Sequence, residues 1–432
     1  MLRAMTDSVA ASEQESVEPR WKRNLLFLFL SQVLAMVGFS SATPFLPLYV
    51  QTLGVEQSSA ILWAGTLSFS GSITMAIMAP IWGMLADRHG RKSMVTRSMF
   101  AGGIITGLMS FAVNVQQLLV LRTVQGSFSG TVSASRTLAA GLVPRSMLGQ
   151  SMGLMQTAAF VGMSLGPLIG GFVADHFGYR VSFTLAAVLL GSSGLFVLLF
   201  VEERFSRPLA TAVRPSFRSN VRMVFFMPEV RAVILALFIV QIGQMAAQPV
   251  LPLFIQELLS SASAGDAMVG GGQVADFSAS TTGMILGVTA FTSAAAASFG
   301  GRLGDRIGHR RVLAFASIAT GVLYLPQAFV TNTWQLMVIR AVLGAFAGAL
   351  MPVGMALIAL VTPSGSRGWI FGITATATAL GVAIGPVIGA LIATGFGLRV
   401  SFIFTSVILC AGGLWIILSL RSQKPTVLTP AS

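Results

Sequence analysis

Long apolar runs, separated at short intervals by tight clusters of charge, dominate the chain. Twelve of them lie near residues 24–50, 60–83, 94–113, 117–142, 150–173, 181–201, 231–257, 280–303, 311–331, 334–361, 367–393 and 399–420. A helix needs roughly 20 apolar residues to cross a bilayer, and each run approaches that length. No ten-residue alternation of the kind a transmembrane β-barrel shows is present. The pattern predicts an all-α polytopic membrane protein with twelve transmembrane helices. Loops 87–97, 204–231, 302–311 and the tail after Leu420 hold most of the Arg and Lys, whereas those around 51–59, 114–116, 258–279 and 332–333 hold almost none. Basic loops on one side predict that both termini face the cytoplasm.

The pattern also repeats. Gly83-Met-Leu-Ala-Asp87-Arg88-His-Gly90-Arg91-Lys92 returns as Gly301-Arg-Leu-Gly-Asp305-Arg306-Ile-Gly308-His-Arg, with Asp87 and Asp305 standing 218 residues apart. Gly166-Pro167 returns as Gly385-Pro386, Phe177–Phe183 resembles Phe396–Phe402, and Pro44-Phe-Leu-Pro47 returns as Pro249-Val-Leu-Pro252 at the shorter offset of 205. An insertion in the Gly-, Ser- and Ala-rich loop 258–279 accounts for the difference. Duplication on this scale predicts two pseudo-symmetric six-helix bundles, 21–201 and 231–421, around a cavity. A disordered cytoplasmic tail (1–20), a cytoplasmic linker (202–230) and a short cytoplasmic tail (422–432) complete the organisation.

Composition agrees. Hydrophobic residues make up 54% of the 432 and charged residues 9%, with a mean hydropathy of +0.81, far from a soluble domain. The formal net charge of +13 is explained by cytoplasmic loops rather than by nucleic acid. The single cysteine, Cys410, allows no internal disulfide.

Three motifs carry candidate mechanism. Glycines at 83, 90 and 301 allow tight turns, while Asp87 and Asp305 can accept hydrogen bonds from a helix N-terminus and Arg88, Arg91 and Arg306 can meet carboxylates or carbonyl ends. This reads as a conformational latch. Arg122, followed by Gln125-Gly126, places a cation among apolar residues, where it should face inward and find a partner. Its repeat partner is Arg340, and Arg136 is a third buried cation. Gly162-x-x-x-Gly166-Pro167-x-x-Gly170-Gly171 provides small residues at helical spacing and a kink.

Together these motifs resemble those of the major facilitator superfamily, and in particular its twelve-helix drug:proton antiporters, the bacterial multidrug efflux pumps. The charged turns match the superfamily's hallmark loop, Arg122 matches a motif of proton-coupled exporters, and the Gly-Pro motif matches one associated with export. The resemblance implies a secondary transporter of the bacterial inner membrane that exports hydrophobic or amphiphilic small molecules by alternating access. It also implies exchange for protons. Each chain carries both halves, so a monomer surrounded by membrane lipid is expected. An exporter of one dedicated metabolite (a siderophore, lipid precursor or sugar derivative) and a non-transporting membrane sensor are the alternatives.

One departure from such pumps stands out. Every acidic residue lies in a tail, the linker, an inner loop or near an outer helix end, and none in the middle of a span. With Arg122, Arg136 and Arg340 as the buried charges, the cavity should favour neutral or anionic amphiphiles over lipophilic cations. Gln32, Met36, Gln125, Gln241, Gln244 and Gln248 are expected to line it, with Phe39 and Phe45 as apolar wall. Gln241, Gln244 and Gln248 fall on one helix face. No Walker A run, nucleophile–base pair or metal cluster occurs, so neither an enzyme nor a cofactor is expected.

Overall fold

The structure, a computed structural model, describes residues 20–144, 147–203, 227–267, 277–362 and 367–419. The predicted tails and most of the predicted linker lie outside the described residues. The helices are α1 (Trp21–Ala42), α2 (Leu46–Thr52), α3 (Gln57–His89), α4 (Arg91–Met109), α5 (Val115–Phe128), α6 (Thr131–Leu142), α7 (Leu148–Phe177) and α8 (Tyr179–Phe200). They continue with α9 (Pro228–Ala246), α10 (Leu251–Ala267), α11 (Ser278–Ile307), α12 (His309–Tyr324), α13 (Thr333–Val361), α14 (Arg367–Phe396) and α15 (Leu398–Ser419). Ten segments are long and apolar enough to cross a membrane. The two other predicted spans are the 19-residue α4 and the α5–α6 pair. Among the described residues there is no strand.

Several boundaries differ from the prediction, each for a local reason. The first and seventh spans are interrupted where Pro44, Pro47, Pro249 and Pro252 withhold backbone donors,. The fourth span, predicted as continuous over 117–142, breaks at Ser129-Gly130, where Gly130 adopts φ +132. The loop expected at 258–279 is helical as far as Ala267, as its Ala residues favour. The charged turn is not a loop either. Helix α3 runs through Asp87-Arg88-His89 and α4 restarts at Arg91, so Gly90 alone (φ +90) makes the corner; Gly308 (φ +98) does the same between α11 and α12. Only glycine adopts this backbone without strain.

Contacts divide the described residues into two units: unit 1 from those within 1–63, 70–211 and 274–287, and unit 2 from those within 64–69, 212–273 and 288–432. Internal detail repeats between them. Asn114 caps α5 by accepting from Gln117 N, and Asn332 caps α13 by accepting from Gln335 N, both at 2.9 Å. Arg180 donates to the carbonyl of Ala112 and Arg399 to that of Ala328. Ser182 Oγ donates to Gly170 O, and Ser401 Oγ to Gly389 O.

The glycine motif sets the main crossing of each unit. In unit 1, α7 lies on α1, and Cβ atoms at Gly162, Gly166 and Gly170 would run into Met36, Ser40 and the Ser41 carbonyl. Ser40 Oγ bridges the crossing by donating to Gly162 O at 3.0 Å. In unit 2, Gly381, Gly385 and Gly389 on α14 meet Gln241, Met245 and the Ala246 carbonyl of α9 in the same way. Without a hydrophobic force between helices in lipid, such backbone approach is what holds them together. A buried core of Leu25, Leu28, Val95, Met99, Leu138, Leu190 and Val197 fills unit 1 toward its basic end.

Gly170→Ala and Gly389→Ala should each lower stability by about 1–3 kcal/mol, because backbone rather than a pliable side chain stands in the way. Gly149→Ala, where a Cβ would meet nothing, should be near neutral. Thermal unfolding of detergent-purified protein measures all three.

Candidate functional site

Unit 1 carries an open cavity of about 510 Å³. Met36, Phe39 and Thr43 of the first span, Ser72 and Met75 of α3, Arg122 and Gln125 of α5 and Arg136 of α6 line it. The α5–α6 break contributes Ser129 and Gly130 to the same wall. Gly126 brings α5 onto α3: a Cβ there would strike Gly71 O and Thr74 Oγ1, and Thr74 Oγ1 donates across to Thr123 O at 3.0 Å. Gln125-Gly126 therefore has two jobs, one on each side of the helix.

The cavity's charge is cationic and held by neutral groups. Arg122 Nη1 donates to Gln125 Oε1; Gln125 Nε2 donates to Thr106 Oγ1 at 2.6 Å, and Thr106 Oγ1 donates to Gly102 O at 2.6 Å. Arg122 Nε is buried and without a partner. Arg136 Nη2 donates to Gln156 Oε1. No carboxylate stands among the described lining residues, so an amide orients each guanidinium without cancelling its charge.

Unit 2 handles the equivalent arginine differently. Arg340 is 6% exposed. Its guanidinium lies 5.2 Å from the centre of the Tyr324 ring. Tyr324 and Leu343 stand 218 residues after Thr106 and Gln125, so the amide relay of unit 1 is replaced by a ring. Gly344 keeps the crossing, where a Cβ would meet Thr289 and Thr292 of α11.

Other predicted lining residues are dispersed. Gln32 is 1% exposed, with both amide atoms unpartnered, and is not among the cavity-lining residues. Phe45, expected in the wall, is 1% exposed and packs toward Gly171 instead. Gln241 and Gln244 each keep one buried amide atom without a partner, and Gln248 is exposed. By the 205-residue offset they occupy the positions of the seventh span equivalent to Met36, Phe39 and Thr43 of the first.

The charged turns hold a contact that the sequence did not foretell. The Glu203 carboxylate accepts from Arg91 N at 3.0 Å and Lys92 N at 2.8 Å, capping α4 against its positive end,. Arg91 Nη1 donates to Thr137 O on α6. The Asp87 side chain lies outside the described residues. Asp305 sits 3.4 Å from His309 Nε2. Arg88 and Arg306 are exposed, and Gly83 and Gly301 face open space. A second unforeseen cap closes the other end of unit 1, where Asp175 accepts from Ala279 N at 3.1 Å and Ser280 N at 2.6 Å.

The family model described as Major Facilitator Superfamily matches residues 28–275 and again 233–431. The chain belongs to the major facilitator superfamily. Multidrug resistance protein MdtG of Escherichia fergusonii is 36% identical over 414 residues, 94% of this chain and 97% of that one. A multi-drug resistance efflux pump PmrA homolog of Lactococcus lactis is 32% identical, over 93% of this chain and 96% of that one. Among solved structures, the nucleoside transporter NupG superposes with a TM-score of 0.76 at 12% identity, over 92% of this chain and 99% of that one. At that identity the likeness is one of fold. It places this facilitator in the expected all-helical architecture.

Gln125→Leu should strand the Arg122 guanidinium in a buried site, costing about 1–3 kcal/mol of stability; Gln125→Glu should retain the bond and most of the stability. Thermal unfolding separates the two. Glu203→Ala should cost about 0.5–2 kcal/mol through the lost cap. Amide hydrogen exchange should speed up at Arg91 and Lys92 while the Asn114 cap stays protected.

Proposed function

We propose that this facilitator exports hydrophobic or amphiphilic small molecules, drugs among them, from a bacterial cell across its cytoplasmic membrane. Both termini face the cytoplasm, the chain works as a monomer, and alternating access is driven by exchange for protons. The multidrug names of its relatives support the direction and breadth of transport. So does the length of the alignments, which span nearly all of each chain.

The observation that carries the substrate class is the cavity wall, with Arg122 and Arg136 at its charged positions and apolar Met36, Phe39 and Met75 beside them. A lipophilic cation entering there meets two like charges in a low dielectric, and a neutral or anionic amphiphile does not. Arg122 is the buried charge expected to couple binding to exchange. Gln241, Gln244 and Gln248, equivalent in the repeat to the cavity face of the first span, are the residues expected to contact substrate from the second half. Gly83, Asp87, Arg88, Gly90 and Arg91, with Gly301, Asp305 and Arg306, act as the latch that stabilises one access state.

In a host deprived of its own major pumps, the protein should protect against neutral and anionic antimicrobials more than against lipophilic cations. Arg122→Ala should lose that protection at unchanged membrane abundance, and an uncoupler should abolish it. Protection confined to lipophilic cations would reverse the substrate assignment. Minimum inhibitory concentrations over a charge-sorted panel give the answer.

A further inference from the structure

The repeat exposes a site that one unit fills and the other leaves open. In unit 1, Trp82 of α3 donates its indole N–H to Ser127 O at 2.6 Å and lies 5.8 Å from the Phe128 ring, with the Arg97 guanidinium 3.2 Å above its ring centre. The positions 218 residues later are Gly300, Phe315 and Phe346. The tryptophan has gone, and a groove of about 520 Å³ lies there between α11, α12 and α13. That is within the roughly 300–1,000 Å³ typical of ligand pockets.

The walls of the groove are apolar and its rim is cationic. Phe299, Leu303, Phe315 and Phe346 form the walls, and Phe299 and Phe315 are 67% and 63% exposed. Arg302 and Arg306 also line it. They stand one helical turn apart, alongside Phe299 and Leu303 at the same spacing. Among the described residues neither guanidinium has a hydrogen bond or ion pair. No carboxylate lines the groove, and Asp305 pairs with His309 instead. Unit 1 has Met84 where unit 2 has Arg302, so the cationic pair arises where the aromatic plug is lost.

We propose that this groove binds one anionic phospholipid, its acyl chain against Phe299, Phe315 and Phe346 and its phosphodiester between Arg302 and Arg306. A multi-pass helix end places apolar wall in hydrocarbon and arginine at headgroup level, which is where such a ligand is supplied. The acyl chain takes the place that the Trp82 indole occupies in unit 1. A soluble anion would leave the aromatic wall unused, and a zwitterionic lipid would bring its own cation to the two arginines.

Native mass spectrometry of the detergent-purified full chain tests this, with dioleoylphosphatidylglycerol, dioleoylphosphatidylcholine and inorganic phosphate as separate probes. Wild type should retain about one phosphatidylglycerol in preference to phosphatidylcholine, and should hold no phosphate. Arg302→Met, which restores the residue found in the repeat, should weaken phosphatidylglycerol binding about fivefold. Ala345→Trp, at an exposed position on the groove wall, should weaken both lipids by filling the chain site. Arg311→Gln, exposed in the same basic turn but off the groove, should leave binding unchanged. Equal retention of phosphatidylglycerol by wild type and Arg302→Met would overturn the proposal. So would equal binding of the two lipids, phosphate held without a chain, or a lipid-free dimer. If Ala345→Trp fails to fold, the Arg302→Met comparison decides alone.

Discussion

In a bilayer, apolar helices gain nothing by leaving lipid for one another, so their association depends on how closely their backbones approach. Here that constraint falls on two crossings, α7 on α1 and α14 on α9, each made by three glycines four residues apart,. The neighbouring features assume those crossings. Ser182 and Ser401 hydrogen-bond to the carbonyls of Gly170 and Gly389, beside the last contact of each. The cavity-lining residues of the first span, Met36, Phe39 and Thr43, take their bearing from the same helix, and Met36 stands at both the glycine crossing and the cavity wall. Because both units build the crossing alike, its first three glycines answer to packing. Gly171 differs: a Cβ there would meet the Ala279 carbonyl, and its repeat position holds Ala390.

The treatment of buried charge follows from the same environment. A guanidinium in an apolar site must be hydrogen-bonded, yet a carboxylate partner would cancel its field. Unit 1 resolves this with amides, Gln125 for Arg122 and Gln156 for Arg136. Unit 2 lays Arg340 over an aromatic ring. The repeated arginine is thus a cavity-lining cation in unit 1 and an enclosed one in unit 2. The unequal halves are where a duplicated scaffold acquires separate duties.

Much of this was legible in the chain. Helical class, duplication, the glycine crossing and the isolation of Arg122 from any carboxylate all follow from residue type and spacing. Other features were not, for physical reasons. A cluster such as Asp87-Arg88-His89 looks like loop because it is charged, but Ala, Asp and Arg tolerate helix well enough for α3 to continue to Gly90. Gly130 sits in an apolar run where glycine usually means packing, so the break that opens the cavity was hidden. Phe45 and Gln32 belong to cavity-lining stretches but are buried elsewhere; Phe45 sits in the break around Pro44, where helical rotation cannot be counted from sequence, and Gln32 is buried one turn before Met36. The caps by Glu203 and Asp175 join residues more than a hundred positions apart, beyond any local pattern.

Glu202 and Glu203 also bear on how the protein is made. Glu202 accepts from Arg20 and Arg23, its carbonyl accepts from Asn24, and its neighbour Glu203 caps α4. The two fastenings for the starts of α1 and α4 therefore lie just beyond α8, and leave the ribosome after every helix they hold. Earlier spans can insert and cross by their glycines, but their basic ends stay loose until synthesis passes the sixth span. The basic end of unit 1 can then be fastened as soon as α8 is complete, whereas its other end waits for Ala279 and Ser280 to reach Asp175.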